Sequence, residues 1–186
     1  MIEVKQNILS ESHRLKLVAW ITTNEHLLKF NTTTESSDTD RDAFAVTFDD
    51  ETLPEWLNFF RETGTNIYNF VGIVTYVSGD IPEHIDEDFK CYLDGTDLPK
   101  YLIKEPHTTT VYYAQIDTNM IGGDTIIDNR AYKAMQNTTL SFPSNTPHSV
   151  TSMKSNGSPR VVLVCEKYKL MRLCINRLEF PIYRSG

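Results

Sequence analysis

The first third of the chain has the apolar spacing of helices separated by a polar loop. Residues 1–30 carry a short strand-like start and then a helix, for which Ser10 suits the N-cap position. Residues 32–42 are almost entirely polar, which predicts an exposed loop. A second helix is predicted from Leu53 to about Thr63, and its apolar side chains are expected to be buried, namely Trp56, Leu57, Phe59 and Phe60. Residues 1 to about 66 are therefore expected to form a helical support.

From about Tyr68 onward, short apolar or alternating runs are separated by Gly, Pro, Asn and Asp. This pattern predicts strands at residues 70–77, 110–116, 125–128, 138–142, 148–153 and 160–166. The run Val161–Cys165 is apolar throughout, as expected for a strand that is covered on both faces. Leu170 to Tyr183 fits either a strand or a helix, and we favour a strand. Helices followed by many strands predict an α+β fold, mainly β, in which helices brace a β-sandwich or barrel.

Length and composition restrict the class of protein. A chain of 186 residues fits a single domain, residues 1–186, with its β core from about residue 67 to the end. The N-terminus lacks the features of a signal peptide, and no apolar run is long enough to cross a membrane. Three cysteines, Cys91, Cys165 and Cys174, form no CxxC pair, which favours a reducing compartment. A cytoplasmic protein without membrane contact is expected.

The net charge of −7 bears on the choice of partner. Binding to a nucleic-acid backbone depends on neutralising phosphates, so an acidic protein is not expected to bind nucleic acid over a broad surface. Basic residues are concentrated after Lys154, where a local basic patch is the only feature that would suit a nucleic acid. A peptide, amino-acid or metabolite substrate is the expectation.

One short stretch carries the strongest chemical signal, a His-x-Asp pair formed by His84 and Asp86. Residues two apart on an extended chain project to the same side, so this imidazole and carboxylate can point towards one metal ion. The best candidate for a third ligand is His148, within Pro147-His148-Ser149-Val150. Two histidines and one carboxylate form the facial triad of non-haem Fe(II) oxygenases, which leaves coordination positions open for chemistry.

These residues belong to a set of segments that resembles the Fe(II)- and 2-oxoglutarate-dependent dioxygenases, especially their prolyl 4-hydroxylase-like branch. The segments, in order, are Tyr76-Val77-Ser78-Gly79 before His84-Ile85-Asp86, Val111-Tyr112-Tyr113 before Gly122-Gly123-Asp124-Thr125, Phe142-Pro143-Ser144 before His148-Ser149-Val150, and Gly157-Ser158-Pro159-Arg160. The resemblance covers roughly Phe70 to Cys165. It implies a double-stranded β-helix, or jelly roll, as the core of the fold.

The resemblance also implies the chemistry of the site. Fe(II) would be bound by His84, Asp86 and His148, and Arg160 would bind the remote carboxylate of the cosubstrate 2-oxoglutarate through its two-pronged guanidinium. The hydroxyls of Tyr76 and Ser149 are expected to assist at the cosubstrate, and ascorbate is included as an optional cofactor. The expected reaction is hydroxylation of a substrate with release of succinate and CO2. A carboxylate at position 86 favours hydroxylation over halogenation, because related halogenases resemble this pattern with Ala or Gly there.

Several departures weaken the assignment of a prolyl substrate. Arg160 follows His148 at a greater distance than is usual, so the hairpin at residues 154–157 must be longer. Ala114-Gln115 stands where many prolyl hydroxylases carry Leu-Asn, and the usual Trp of the last core strand is missing. Two alternative functions stay open: a cupin-like metal enzyme or isomerase that does not use 2-oxoglutarate, and a non-catalytic jelly-roll binding protein. The irregular residues 89–107 are expected to form either a substrate-covering flap or a plain surface loop.

Overall fold

The computed structural model describes residues 1–23, 40–86, 107–170 and 182–183, together with two short strands at 92–93 and 96–97. One α-helix, α1 (Glu11–Thr23), and a six-residue 3-10 helix, Glu55–Phe60, belong to this part. The strands in chain order are β1 (Glu3–Gln6), β2 (Asp40–Asp49), β3 (Ile67–Ser78), β4 (Ile81–His84), β5 (Tyr92–Leu93), β6 (Thr96–Asp97), β7 (Thr108–Gln115), β8 (Ile121–Gly122), β9 (Thr125–Ile127), β10 (Arg130–Tyr132), β11 (Thr138–Phe142), β12 (His148–Val150), β13 (Met153–Lys154) and β14 (Arg160–Tyr168).

Apart from β5 and β6, which pair with each other, these strands form two antiparallel layers. The larger, the major sheet, has the order β1-β11-β7-β14-β3-β13-β8, with β2 paired to β3. The smaller, the minor sheet, has the order β10-β9-β12-β4. This arrangement is the curled, mostly β double-stranded β-helix that was predicted.

The core lies on both faces of the major sheet, and β14 shows why. Val161, Leu163 and Cys165 belong to the cluster that packs against α1 and the 3-10 helix. Val162 and Val164 belong to a second cluster with residues from both sheets. The apolar run Val161–Cys165 within this strand follows from packing on both sides, as predicted.

Helix α1 begins where the sequence predicts, because the backbone N–H of His13 donates to the Ser10 side-chain oxygen at 3.4 Å. Leu17 and Ile21 are buried on the face towards the sheet. The same face carries Arg14, whose guanidinium donates to the carbonyl of Ala114 at 2.8 Å and is held by Glu11. Both apolar packing and a buried charged group therefore anchor the helix to β7.

The second predicted helix is wrong in type and extent, since it is a 3-10 helix of six residues. Side chains three apart line up on a 3-10 helix, so Leu57 and Phe60 share the buried face and are fully enclosed, as expected. Trp56 was expected to be buried but is 40% exposed, and it rests edge-on against Trp20 with ring centroids 4.9 Å apart.

Strand β2 was missed. It pairs with β3 along its full length and includes residues 40–42, which were predicted to belong to an exposed loop. The run Phe44–Phe48 is buried at every position, so the alternation that usually signals a strand is absent. The region expected to be a helical support therefore also contributes a major strand to the sheet.

Some predictions lie outside the described residues. They are most of the 89–107 segment, most of the Leu170–Tyr183 strand, and the environments of Cys91 and Cys174. Cys165 is a free, buried thiol. In the part of the chain that the structure describes, no helix is long and apolar enough to span a membrane.

Candidate metal centre

Sheet pairing brings the two predicted histidine ligands together. Strands β4 and β12 are antiparallel neighbours, and His84 and His148 are directly opposed partners in their register. Their ring centroids are 4.3 Å apart. A pair that is distant in sequence thus becomes one local cluster through two strands of the minor sheet.

Asp86 completes the cluster from just beyond the end of β4. Its backbone N–H donates to the carbonyl of Ser144 at 3.4 Å, and its Oδ2 accepts a hydrogen bond from the Thr109 hydroxyl. Thr109 Oγ1 is in turn 2.8 Å from Ser144 Oγ. The other oxygen, Oδ1, is 3.7 Å from His148 Nε2. One carboxylate oxygen is therefore held by the Thr109 hydroxyl, and the other faces His148.

Backbone carbonyls set the tautomer of both imidazoles. His84 Nδ1 is 2.9 Å from the carbonyl oxygen of Pro82, and His148 Nδ1 is 3.0 Å from that of Thr146. A carbonyl only accepts, so each Nδ1 carries the hydrogen and donates it. Each Nε2 then keeps a lone pair, which is the form that binds a metal.

The three side chains offer ligand atoms that all lie within 4.8 Å of one another. Ligands at right angles, each about 2.1 Å from a metal, would be about 3 Å apart, so binding would draw the atoms closer. His148 is buried against the Phe142 ring, whereas His84 is exposed. His84 is therefore the ligand with room to move, and the site has a fixed inner side and an open outer side.

Arg160 begins β14 in the major sheet and is 8% exposed. Its guanidinium carbon is 5.6 Å from the centroid of the Tyr113 ring. Its buried Nε has no hydrogen-bond partner, and it forms no ion pair with any carboxylate of the described residues. Burial lowers the pKa of Arg160, but an arginine starts so far above neutrality that it stays charged. A buried, unpaired cation calls for an anionic ligand.

Tyr113 is a site residue that the sequence reasoning did not single out. It is buried, its hydroxyl is 3.0 Å from Thr125 Oγ1, and burial raises its pKa while the charge of Arg160 opposes the rise. Alternation along β7 gives a signal for it, since Val111 and Tyr113 share the core between the sheets and Tyr112 faces the helices.

The two other predicted cosubstrate residues are not brought to this cluster. Tyr76 is 43% exposed and lies on the opposite face of β3 from Thr75, the register partner of Arg160. Ser149 alternates with His148 on β12, so it projects from the other face of the minor sheet. Their roles remain predictions.

The predicted Gly-Gly turn is present. Gly122 and Gly123 both have positive φ, 72° and 79°, and Gly123 N–H donates to the carbonyl of Ser152 at 3.1 Å. A Cβ on Gly122 would collide with that same carbonyl. Only glycine allows the close approach of β8 to β13 here.

No protein-family model and no curated protein matches the chain. Solved structures do resemble it. A prolyl-4-hydroxylase from Pseudomonas putida superposes with a TM-score of 0.57 at 13% identity, covering 91% of this chain and 93% of that one. An oxidoreductase of the 2-oxoglutarate–Fe(II) oxygenase family from Burkholderia pseudomallei gives 0.57 at 10% identity, covering 98% and 88%.

A third structure, a prolyl hydroxylase from Trichoplax adhaerens in complex with a peptide fragment of hypoxia inducible factor, gives a TM-score of 0.55 at 16% identity. It covers 90% of this chain and 83% of that one. Identities this low establish the architecture alone. The chain has the double-stranded β-helix fold seen in 2-oxoglutarate–Fe(II) oxygenases, and it carries a candidate His-Asp-His metal site.

Proposed function

We propose that this protein is an Fe(II)- and 2-oxoglutarate-dependent dioxygenase that hydroxylates its substrate with release of succinate and CO2. The observation that carries the proposal is the pairing of two features between the same two sheets. One is a facial set of ligands, His84, Asp86 and His148, with both Nε2 atoms free. The other is a buried Arg160 without an anionic partner.

The donor set fits Fe(II), since two neutral imidazoles and one carboxylate leave half of an octahedral sphere open. Bound there, Fe(II) supplies the activation of O2 that couples decarboxylation of 2-oxoglutarate to insertion of oxygen into the substrate. The chain's own residues hold and orient the participants. Thr109 restrains one oxygen of Asp86 so that the other faces His148.

Arg160 and Tyr113 supply the second half of the site. A guanidinium that is permanently charged and buried binds a carboxylate strongly, because little water competes for either group. The Tyr113 hydroxyl, held near Thr125, can donate to the same carboxylate. Burial keeps the phenol protonated at neutral pH, so it is available as a donor.

For the substrate we propose a peptide group, with proline as the residue that is hydroxylated. The prolyl hydroxylase-like segments and the peptide bound by the Trichoplax adhaerens enzyme support this choice. The exposed acidic residues Asp80, just before β4, and Glu83, within it, would repel the phosphates of a nucleic acid. The residues that depart from prolyl hydroxylases have structural contacts here, since the Ala114 carbonyl accepts from Arg14 and the Gln115 amide donates to Pro159.

The test is a succinate-release assay on protein loaded anaerobically with Fe(II), offered peptides, amino acids, metabolites and single-stranded nucleic acids. Proline-containing peptides should stimulate release and gain the mass of one oxygen atom. His148→Ala should abolish turnover, whereas His13→Ala, at an exposed helical histidine, should not change it. Full activity of His148→Ala would refute the metal site. Metal-dependent turnover without 2-oxoglutarate would instead indicate a cupin-like enzyme, and stimulation by nucleic acid alone would overturn the substrate.

A further inference from the structure

The chain bulges out of the major sheet immediately before Arg160. Strands β13 and β14 both run antiparallel to β3 along the same edge, with Lys154 opposite Val77 and Arg160 opposite Thr75. Ser155 N–H still donates to the carbonyl of Tyr76 at 2.9 Å. Residues 156–159 therefore have no partner on β3, and this loop is here called the 156–159 bulge.

Asp117 holds the bulge. Its Oδ2 accepts hydrogen bonds from the backbone N–H groups of Asn156 at 3.0 Å and Gly157 at 2.6 Å. The Ser155 hydroxyl lies 3.3 Å from the same oxygen, and Oδ1 accepts from Asn119 N–H at 2.9 Å. The hydrogen bonds from backbone N–H groups, chiefly that from Asn119, keep the pKa of Asp117 below its usual value, so the carboxylate is ionised. The Ser155 hydroxyl makes its shorter hydrogen bond, 2.7 Å, to the carbonyl of Ser158.

The other end of the bulge is fixed from the same direction. The Gln115 side-chain amide donates to the carbonyl of Pro159 at 3.1 Å. Gln115 is the last residue of β7, and Asp117 lies in the connection between β7 and β8. Arg160 directly follows Pro159 in the chain. A Cβ at residue 157 would be 3.2 Å from Asp117 Oδ2, so the bulge fits closely around the carboxylate.

The Arg160 backbone pairs with Thr75 of β3, and its side chain interacts with Tyr113. Its Nε is unpartnered and its guanidinium lies over Tyr113 without a carboxylate to orient it. We propose that Asp117 is a positioning residue: by closing the 156–159 bulge it fixes the Arg160 backbone and so sets the affinity of the site for the remote carboxylate of 2-oxoglutarate. This inference rests on the proposed function of Arg160.

The experiment measures ligand binding to Ni(II)-loaded protein by calorimetry, using two probes. 2-Oxoglutarate chelates the metal and reaches Arg160, whereas oxalate chelates the metal and has no remote carboxylate. Asp117→Ala should raise the Kd for 2-oxoglutarate by at least about tenfold, the equivalent of one charge-assisted hydrogen bond, and leave the Kd values for oxalate and Ni(II) unchanged. In turnover, the KM for 2-oxoglutarate should rise while kcat at saturation is retained.

A matched control is Asp49→Ala. Asp49 also closes a turn with its carboxylate, accepting from Glu51 and Thr52 N–H groups. On β3, the register partner of Asp49 is Ile67 and that of Arg160 is Thr75. At about 3.3 Å per residue, Asp49 and Arg160 are therefore roughly 26 Å apart along the strand. The control should lose stability without losing 2-oxoglutarate affinity.

The outcomes separate this inference from the function on which it rests. In an Arg160→Ala background, Asp117→Ala should have no further effect on 2-oxoglutarate binding, because its influence passes through the arginine. Unchanged 2-oxoglutarate affinity in Asp117→Ala, or an equal loss of affinity for oxalate, would overturn the inference alone. If Arg160→Ala itself bound 2-oxoglutarate as tightly as the unaltered protein, the proposed function would fail first.

Discussion

Single residues behind the candidate metal ligands hold their ligand atoms in position. The carbonyls of Pro82 and Thr146 set the tautomers of the two imidazoles, and the Thr109 hydroxyl donates to Asp86 Oδ2. Thr109 is buried and also contacts Ser144, whose carbonyl accepts the Asp86 backbone N–H. Asp86 is therefore restrained both at its backbone N–H and at one carboxylate oxygen. This restraint would lower the conformational entropy that is lost when a metal binds.

Thr109→Val should weaken metal binding by about tenfold to 100-fold, because an equally sized side chain without a hydroxyl leaves Asp86 Oδ2 unrestrained. The matched control is Thr110→Val, one residue along β7, whose hydroxyl pairs with Ser141 at 2.9 Å rather than with the metal cluster. Titration with Ni(II), followed by thermal unfolding, measures both variants. Equal metal affinities for the two would show that Thr109 contributes only to packing.

The cluster of His84, Asp86 and His148 could be predicted because a His-x-Asp pair and a distal histidine are recognisable from residue types and strand alternation. Tyr113 and Asp117 could not be predicted, for different reasons. The importance of Tyr113 comes from a cation over its ring, and that contact joins two strands. Asp117 accepts hydrogen bonds from backbone N–H groups of the 156–159 bulge, and such contacts cannot be recognised from residue types.

Among the elements, the pairing of β2 with β3 depends on one close fit. Phe44 and Gly72 are direct partners in the register, and the Phe44 ring occupies the space that a side chain at position 72 would fill. The ring also meets Trp20 of α1 edge-on, with centroids 5.3 Å apart. The absence of a side chain at Gly72 therefore lets an aromatic residue link the sheet to the helix.

Gly72→Ala should destabilise the protein by about 1–3 kcal/mol, because the added methyl group overpacks the Phe44 ring. Phe44→Leu should relieve part of this cost, so the loss in the double variant should be smaller than the sum of the single losses. Urea unfolding of the four proteins gives the comparison. Strictly additive losses would mean that the ring moves aside and that the contact is not restrictive.

This element level is also where the sequence was least informative. Burial at every position of Phe44–Phe48 removed the alternation on which strand prediction depends. Between Leu53 and Thr63, an apolar cluster that suits an α-helix instead forms a 3-10 helix, because packing of Leu57 and Phe60 satisfies the core within six residues. The core strands could be predicted because their own sequences are short apolar or alternating runs bounded by turn residues.

For the whole molecule, one polar cluster at the end of the major sheet opposite Arg160 links several elements. Glu62 accepts from Lys167 Nζ at 2.9 Å and from Thr108 at 3.1 Å, and His107 Nε2 is 2.9 Å from Thr65 Oγ1. Burial opposes ionisation of Glu62, but the hydrogen bond and charge of Lys167 lower its pKa overall. Burial lowers the pKa of His107 from its ordinary 6.5.

The stability of the metal-free protein should therefore fall on mild acidification. A histidine with a lowered pKa in the folded state contributes stability that is fully present above pH 6.5 and is lost as the pH falls towards the folded pKa. His107→Asn should reduce the difference between the free energies of unfolding at pH 7.5 and 5.5. Identical differences in the variant and the unaltered protein would locate the pH dependence in other groups.

The separation of the site between two sheets has a mechanical consequence. His84 and His148 belong to the minor sheet and Arg160 to the major sheet. A ligand that contacts both the metal and Arg160 would connect the two sheets. Its binding and that of the metal must then strengthen each other by the same factor, because linkage is reciprocal. The bound metal and ligand would therefore help to hold the two sheets together, in addition to the contacts made by the chain itself.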